Sequence, residues 1–314
     1  MTPPPAADLL DQLRGRIGAG NVLTAAGDVA PYLTDWRGRY TGSARAVLRP
    51  GSTAEVAAVV ACCAAARVAI VAQGGNTGLV GGATPDADGH AVVLSLARLN
   101  AVRTIDLANN TLTAEAGCTL SAVREAADRE GRLFPLSLAA EGSCTIGGNL
   151  ATNAGGVQVL RYGNARALCL GLEVVLPDGQ VWGGLRGLRK DNAGLDLKQL
   201  FIGSEGTLGI ITAAVLKLVT KPAACATAWL AVPDVAAAVA VMGRLQTRFP
   251  ERLDSYELIS RATLDLTLAE LPGTSDPLPG ARTPWLVLLE LTDGGEAETL
   301  RNALESTLAG DIEA

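Results

Sequence analysis

Three glycine-rich segments carry most of the chemistry that this 314-residue sequence offers. The first is Gln73-Gly74-Gly75-Asn76-Thr77-Gly78-Leu79-Val80-Gly81-Gly82, directly after a short β-branched run. Successive glycines let a chain turn through positive φ, and consecutive backbone N–H groups then converge as a nest around an anion such as a pyrophosphate. Asn76 and Thr77 add side-chain donors. No Lys or Arg lies in the segment, so a bound charge would be met by N–H dipoles alone. The pattern is neither G-x-G-x-x-G nor G-x-x-x-x-G-K-[ST], which sets aside the Rossmann fingerprint and the Walker loop. A glycine-rich hairpin without a ligand is the competing reading.

The second segment runs from Gly142 to Gly156: Gly-Ser143-Cys144-Thr-Ile-Gly147-Gly148-Asn149-Leu-Ala-Thr152-Asn153-Ala-Gly-Gly. It has small donors and bare backbone but no ionisable carboxylate or amine, which suits close approach to a large neutral ring. Tight packing of a small-residue helix on a sheet explains it equally well. Cys144 reads as a buried small residue, because no His or Lys accompanies it as an activating partner. The third segment is Phe201-Ile-Gly-Ser204-Glu205-Gly-Thr-Leu-Gly-Ile210-Ile-Thr212. Ser204 does not stand in G-x-S-x-G, so no hydrolase elbow is supported. Three such segments in one stretch of chain suggest one extended ligand, and a dinucleotide fits.

Composition narrows the chemistry. The net charge is -6, aromatics are 4%, and there is one His. An acidic chain with few stacking groups argues against nucleic acid, whose binding rests on Lys and Arg. His90 alone leaves no His-rich metal site and little room for His acid–base chemistry. The start, Met1-Thr2-Pro3-Pro4-Pro5, lacks a basic stretch followed by an apolar one, so no secretory signal is expected. No run of about 18 uncharged apolar residues occurs, so no membrane span is expected. The six cysteines form no C-x-x-C pair and suit a reducing compartment, with the cytoplasm as the expected location.

Elements to position these segments are legible around them. Asp8–Ile17 reads as a helix, Ala46–Arg49 as a strand, and Ser52-Thr-Ala-Glu55 as a capping box opening a helix to Ala66. Val68–Val71 reads as a strand running into the first glycine segment. Val92–Ser95, Val102–Ile105 and Leu112–Ala114 follow as strands. Leu120–Glu130 reads as a helix stopped by Gly131. Leu172–Leu176 leads into a Pro177-Asp178-Gly179 hairpin turn, and Ile210–Val219 is β-rich. After Lys221-Pro222 the glycine clusters stop, and strands at Trp229–Val232, Ser255–Leu258 and Trp285–Leu291 alternate with helices. The expected division is a helical lead-in at 1–41, a ligand domain at 42–221 and a second domain at 222–314.

The order Gln73–Gly82, Ser143-Cys-Thr-Ile-Gly-Gly-Asn149, Asn153-Ala-Gly-Gly156 and Arg161-Tyr-Gly163 resembles the FAD-binding fold of the vanillyl-alcohol-oxidase, or PCMH, type. The run Leu188-Arg-Lys-Asp-Asn-Ala-Gly-Leu-Asp-Leu-Lys-Gln-Leu-Phe-Ile-Gly-Ser-Glu-Gly-Thr-Leu-Gly-Ile-Ile-Thr212 resembles more narrowly the D-2-hydroxyglutarate dehydrogenase branch of the FAD-linked D-2-hydroxyacid dehydrogenases. The likeness covers about Tyr32 to Leu291. It implies an α+β fold, with a two-subdomain PCMH-type FAD domain followed by a partial ferredoxin-like cap. It implies noncovalent FAD, with Gln73, Gly74, Gly75, Asn76, Thr77, Gly78 and Leu79 around the pyrophosphate. Leu138, Gly142, Ser143, Cys144, Gly147, Gly148, Asn149, Thr152 and Asn153 would line the ribityl chain and flavin ring. Glu205 and Ile210 would sit near the adenine.

The resemblance also implies oxidation of a 2-hydroxy acid, with hydride passing to flavin N5. The electron acceptor would be an electron-transfer flavoprotein, a quinone or a cytochrome. In that branch His and Glu hold a divalent metal and a further His acts as base. No His follows His90 in this sequence, so no catalytic or metal-binding residue is assigned, and a chain truncated at its C-terminus, with an unpaired cap edge, is expected. His90 reads as a surface turn residue, and Arg161 and Arg189 as solvated or structural. D-lactate or glycolate oxidation on the same fold, a flavin module completed by a partner, and an NADPH-fed reductase stay open, as does a homodimer.

Overall fold

Ser52 opens the first long helix of the core. Its hydroxyl accepts the Glu55 amide at 3.2 Å, while the Glu55 carboxylate takes the Gly51 amide at 2.7 Å. The return contact of the capping box thus reaches one residue further back than the motif suggests. The helix, Thr53–Ala66, stops at Arg67, which adopts a left-handed φ of 54°. Val68 still donates to the Cys63 carbonyl at 2.9 Å, closing that helix end. The strand expected at Val68–Val71 therefore starts later, at Ile70–Gln73.

The computed structural model describes residues 6–312, so the proline-rich start read for targeting signals lies outside the described residues. The chain forms two units. One holds the chain up to Phe134, Leu138–Ala154 and Asn164–Val219; the other holds Pro135–Ser137, Gly155–Gly163 and the chain from Thr220.

The first unit has two main sheets. Strands β1 (Val22–Leu23), β2 (Val47–Leu48), β3 (Ile70–Gln73) and β4 (Val92–Ser95) form one, in the order β1-β2-β4-β3, with β2 and β3 both parallel to β4. Strands β5 (Val102–Asp106), β6 (Thr111–Glu115), β7 (Cys169–Val175), β8 (Val181–Gly184) and β9 (Ile210–Lys217) form the other, antiparallel, in the order β5-β6-β9-β7-β8. Central β9 is buried from Ile210 to Leu216, which explains its unbroken apolar pattern. The β7–β8 hairpin turns at Gly179, with φ of 87°.

The second unit is built on β10 (Ala224–Val232), β11 (Leu253–Ser260) and β12 (Trp285–Asp293), antiparallel in the order β10-β12-β11. Helices Val235–Arg248 and Ala297–Ile312 contribute Leu245, Leu300 and Leu304 to a core with Phe249, Val287, Leu289 and Leu291. Asp234 and Ser260 cap the helices that follow them, accepting the amides of Ala237 and Thr263. The segment Gly155–Gly163 belongs to this unit because Arg161 donates to the buried Asp254 at 2.7 Å and to the Thr292 hydroxyl and carbonyl. Among the described residues no helix is long and apolar enough to cross a membrane.

Candidate functional site

Gln73 ends β3 and closes the first glycine loop. Its buried amide donates to the Tyr32 carbonyl at 3.0 Å and to the Ala83 carbonyl at 2.8 Å, so the loop's far end is pinned beside its start. Asn76 adopts a φ of 52° and donates to the Thr34 carbonyl at 2.8 Å. These two side chains hold the loop and leave its backbone free for a ligand.

The glycines have steric work to do. A Cβ on Gly74 would stand 2.3 Å from the Thr145 hydroxyl oxygen, and one on Gly75 only 1.8 Å from the Ser143 carbonyl oxygen. The first loop and the second segment therefore meet through bare backbone. The second segment continues as a short helix, Ile146–Ala151, anchored when Ile146 donates to Cys118 and Gly147 to Ala116. The third segment is stitched to the second: Gly203 donates to Leu150, and Glu205, with φ of 52°, donates to Ala151. Left-handed Asn76, Asn153 and Glu205 each sit in one of the glycine segments, where non-glycine residues tolerate this backbone at a cost.

The three segments enclose a cleft of about 390 Å³, within the range of small-molecule sites. Gln73, Gly74, Gly75, Asn76, Thr77, Gly78, Leu138, Cys144, Gly147, Gly148, Asn149, Thr152, Glu205 and Ile210 line it. Leu79, Gly142, Ser143 and Asn153 do not. Leu79 turns to solvent, and Gly142 and Ser143 are exposed on the outside of the segment. Asn153 faces away, its side-chain oxygen Oδ1 accepting the Arg166 backbone amide at 3.0 Å.

Thr145 lines the cleft and was missed by residue reasoning. It stands at the N-cap of its helix yet makes no capping bond. Its hydroxyl and the Asn149 side-chain nitrogen are both buried without a hydrogen-bond partner. Buried polar groups are nearly always satisfied, so two orphans in one cleft mark the place of a polar ligand edge. An N-cap threonine among buried neighbours was the available signal.

Charge is sparse. No Lys or Arg lines the cleft, and Glu205 is its single carboxylate, exposed to solvent. Burial pushes the Cys144 thiol above its ordinary value, which makes it a poor nucleophile. A glycine-walled slot without basic side chains and with two unpaired buried donor groups fits FAD. His90 lies in an exposed turn where its amide donates to Asp88 at 2.7 Å. Arg189 donates to the Asn109 carbonyl at 3.1 Å. Among the described residues no three His, Cys, Asp or Glu side chains converge as metal ligands.

The profile of the FAD binding domain matches residues 44–183. The first two segments of the cleft lie within this FAD domain match; the third lies beyond it. The chain is 42% identical over 296 residues to a mitochondrial D-2-hydroxyglutarate dehydrogenase of Bos taurus, covering 93% of this chain and 54% of that one. It is 38% identical over 275 residues to a Schizosaccharomyces pombe protein named for mitochondrial D-lactate dehydrogenase, covering 88% and 51%. The chain thus spans about half the length of these relatives. Among solved structures, alkyldihydroxyacetonephosphate synthase superposes with a TM-score of 0.82 at 21% identity, covering 98% of this chain and 59% of that one. Substrate-bound p-cresol methylhydroxylase superposes at 0.77 and 19%, covering 98% and 64%. The fold is the α+β, PCMH-type FAD-binding fold.

Proposed function

We propose that the protein binds FAD noncovalently and serves the oxidation of a D-2-hydroxy acid, with D-2-hydroxyglutarate as substrate. The observation that carries the cofactor reading is the glycine-walled cleft with unpaired Thr145 and Asn149. The substrate reading rests on 42% identity to a dehydrogenase named for D-2-hydroxyglutarate. When bound, FAD supplies a hydride acceptor at flavin N5, so that a C2 alcohol can leave as a ketone.

Each wall of the cleft has a matching task. The Gly74–Gly78 backbone amides suit a pyrophosphate that no basic side chain meets. Thr145 and Asn149 offer hydrogen bonds to the polar edge of a ring. Glu205 is suited to accept from ribose hydroxyls and would repel phosphate, which agrees with a place near the adenosine end. Leu138 and Ile210 supply apolar cover. The raised thiol of Cys144 supports noncovalent binding. Among the described residues no three His, Cys, Asp or Glu side chains stand together as metal ligands.

We take 42–221 as the FAD domain, 1–41 as its lead-in and 222–314 as part of a substrate or cap domain. An electron-transfer flavoprotein, quinone or cytochrome would reoxidise the flavin. A cytoplasmic location rests on six free thiols, and the animal and yeast relatives are named mitochondrial. D-lactate oxidation is the second reading, favoured by the yeast relative.

The test is to reconstitute the chain with FAD and follow its visible band. Failure of the folded protein to retain flavin sinks the proposal. Anaerobic bleaching by D-2-hydroxyglutarate supports the substrate, bleaching by D-lactate alone supports the second reading, and retained flavin bleached by neither supports a binding module.

A further inference from the structure

A second cavity of about 830 Å³ lies in the first unit, and the flavin reading leaves it unused. The loop carrying Leu188, Arg189 and Leu195 forms one wall, and Trp182 of β8 and Lys217 of β9 form another. Lys198 also faces it, but Asp196 neutralises Lys198 with both carboxylate oxygens at 2.6 Å. Asp191, the other carboxylate in the wall, turns to Arg186 at 3.4 Å.

Arg189 and Lys217 are held differently. Arg189 donates to the Asn109 carbonyl at 3.1 Å, and Lys217 donates to the Ala167 carbonyl at 2.5 Å. Neutral carbonyls fix the position of a cation without cancelling its charge. Among the described residues neither has a carboxylate within ion-pair distance. Burial and then the charges of Arg189 and Lys198 push the Lys217 ammonium below its ordinary value. Arg166 lines the same wall and is likewise held by neutral oxygens, those of Gln199 and the Ile202 carbonyl. Three cations without a carboxylate partner among the described residues therefore share one concave space in a chain whose net charge is -6. Beside them, Leu188, Leu195 and Trp182 give an otherwise polar wall an apolar stretch. Trp182 packs on Phe201 with ring centroids 5.5 Å apart, and Leu188 and Leu195 are 56% and 86% exposed. Two exposed leucines on the rim of a cationic cavity give an apolar surface that a ligand could cover while its head meets the cations. The concave shape and volume match a small-molecule site, not a flat protein interface.

We propose that this cavity binds an amphiphilic anion: a carboxylate or phosphate head at Arg189 and Lys217, and an apolar body covering Leu188, Leu195 and Trp182. The cations supply charge-assisted hydrogen bonds to the head. Covering the leucines removes apolar surface from water. The site is separate from the flavin cleft, so its occupation and flavin retention are independent readouts.

The experiment is calorimetric titration of the FAD-reconstituted chain with octanoate and octyl phosphate, against inorganic phosphate and octanol. The expected result is saturable one-to-one binding of one or both amphiphiles, with head alone and body alone each weaker. The better amphiphile identifies the head as carboxylate or phosphate. The double substitution Arg189→Gln with Lys217→Gln is expected to weaken binding about tenfold or more, as loss of two charge-assisted contacts implies. Lys190→Gln, outside the cavity, is expected to leave it unchanged. If the double variant loses flavin or its circular dichroism, Arg189→Gln alone, at an exposed position, replaces it and is expected to weaken binding measurably. The proposal is overturned if neither amphiphile saturates at millimolar concentration, or if the folded variant binds as well as the parent.

Discussion

Gly75 and Ser143 meet backbone to backbone: a Cβ on Gly75 would stand 1.8 Å from the Ser143 carbonyl oxygen. This contact sets the distance between the first glycine loop and the segment facing it. Gly75→Ala must push one of them away. We expect a destabilisation of about 1–3 kcal/mol, typical of overpacking, together with loss of flavin retention. Gly78 is the contrast, because a Cβ there meets nothing within 4 Å. Gly78→Ala should keep the apo melting temperature and still weaken FAD binding by filling the cleft. Thermal melts with and without FAD, on both variants, check the pair.

Thr145 and Asn149 give a prediction of opposite signs. Each buries a polar atom that finds no partner in the protein. Asn149→Leu removes an unsatisfied donor, so the apo protein should become no less stable. The same change removes a hydrogen bond to the ligand, and FAD affinity should fall by about tenfold, the equivalent of one good polar contact. Thr145→Val should behave alike with a smaller loss. Flavin fluorescence titration gives the affinity and denaturant unfolding the stability. A parallel fall in both quantities would assign these residues to structure alone.

The sequence disclosed the glycine segments because close backbone approach leaves a mark in residue type. At Gly74, Gly75 and Gly147 a side chain would collide with a neighbour far along the chain. The cap at Ser52 was local and equally readable; Thr119, Asp234 and Ser260 cap their helices in the same way. What stayed hidden is tertiary. Asn153 looked like its neighbours in the run, yet Arg166 draws its side chain out of the cleft. Thr145 gained its meaning only from partners that are missing in three dimensions. Arg161 and Asp254 are 93 positions apart, so no spacing rule links them.

Glu173 should govern part of the acid stability. Burial raises the pKa of its carboxylate, but hydrogen bonds from Thr53, Arg103 and Thr212 and the Arg103 charge outweigh burial and hold it below the ordinary value. A folded pKa below the unfolded one means that Glu173 stabilises the fold above the unfolded value, about 4.3. That contribution is lost as pH falls through the folded value. Glu173→Gln should therefore cost about 1–3 kcal/mol at neutral pH, the range for breaking a buried charged hydrogen bond. Its melting temperature should also vary less with pH below that range. Melting curves from neutral pH down to the acid limb, for parent and variant, should converge at the acid end.

Thiol reactivity should sort by burial. Cys63 and Cys169 are pushed up to about 12 and Cys118 to about 11, in each case first by burial. Cys225 is exposed and Cys62 half-buried. Burial and then the Glu290 carboxylate raise the Cys225 thiol too, so accessibility sets the order: a thiol reagent at mildly alkaline pH should mark exposed Cys225 first and Cys62 more slowly. The other four should react on unfolding. Peptide mass mapping reads the order, and early labelling of Cys169 would contradict the packing of β7.

Asp254 offers the sharpest test of the second unit. It is fully buried, and Arg161 reaches it from the Gly155–Gly163 segment, with Thr292 donating to the same carboxylate oxygen at 2.9 Å. Gln158 adds a longer contact at 3.4 Å. Removing one ion of such a pair leaves the other without its counter-charge, which costs more than the pair contributes. Asp254→Ala should destabilise this unit by about 3–5 kcal/mol, nearer the lower figure because the Arg161 side chain keeps 21% exposure and some water. Replacing both ions, Arg161→Met with Asp254→Leu, should recover most of that loss, since well-packed apolar groups often substitute for a buried pair. Limited proteolysis at 155–163 and denaturant unfolding distinguish the single from the double variant. Equal loss in both would mean that the segment is held by packing and not by the ion pair.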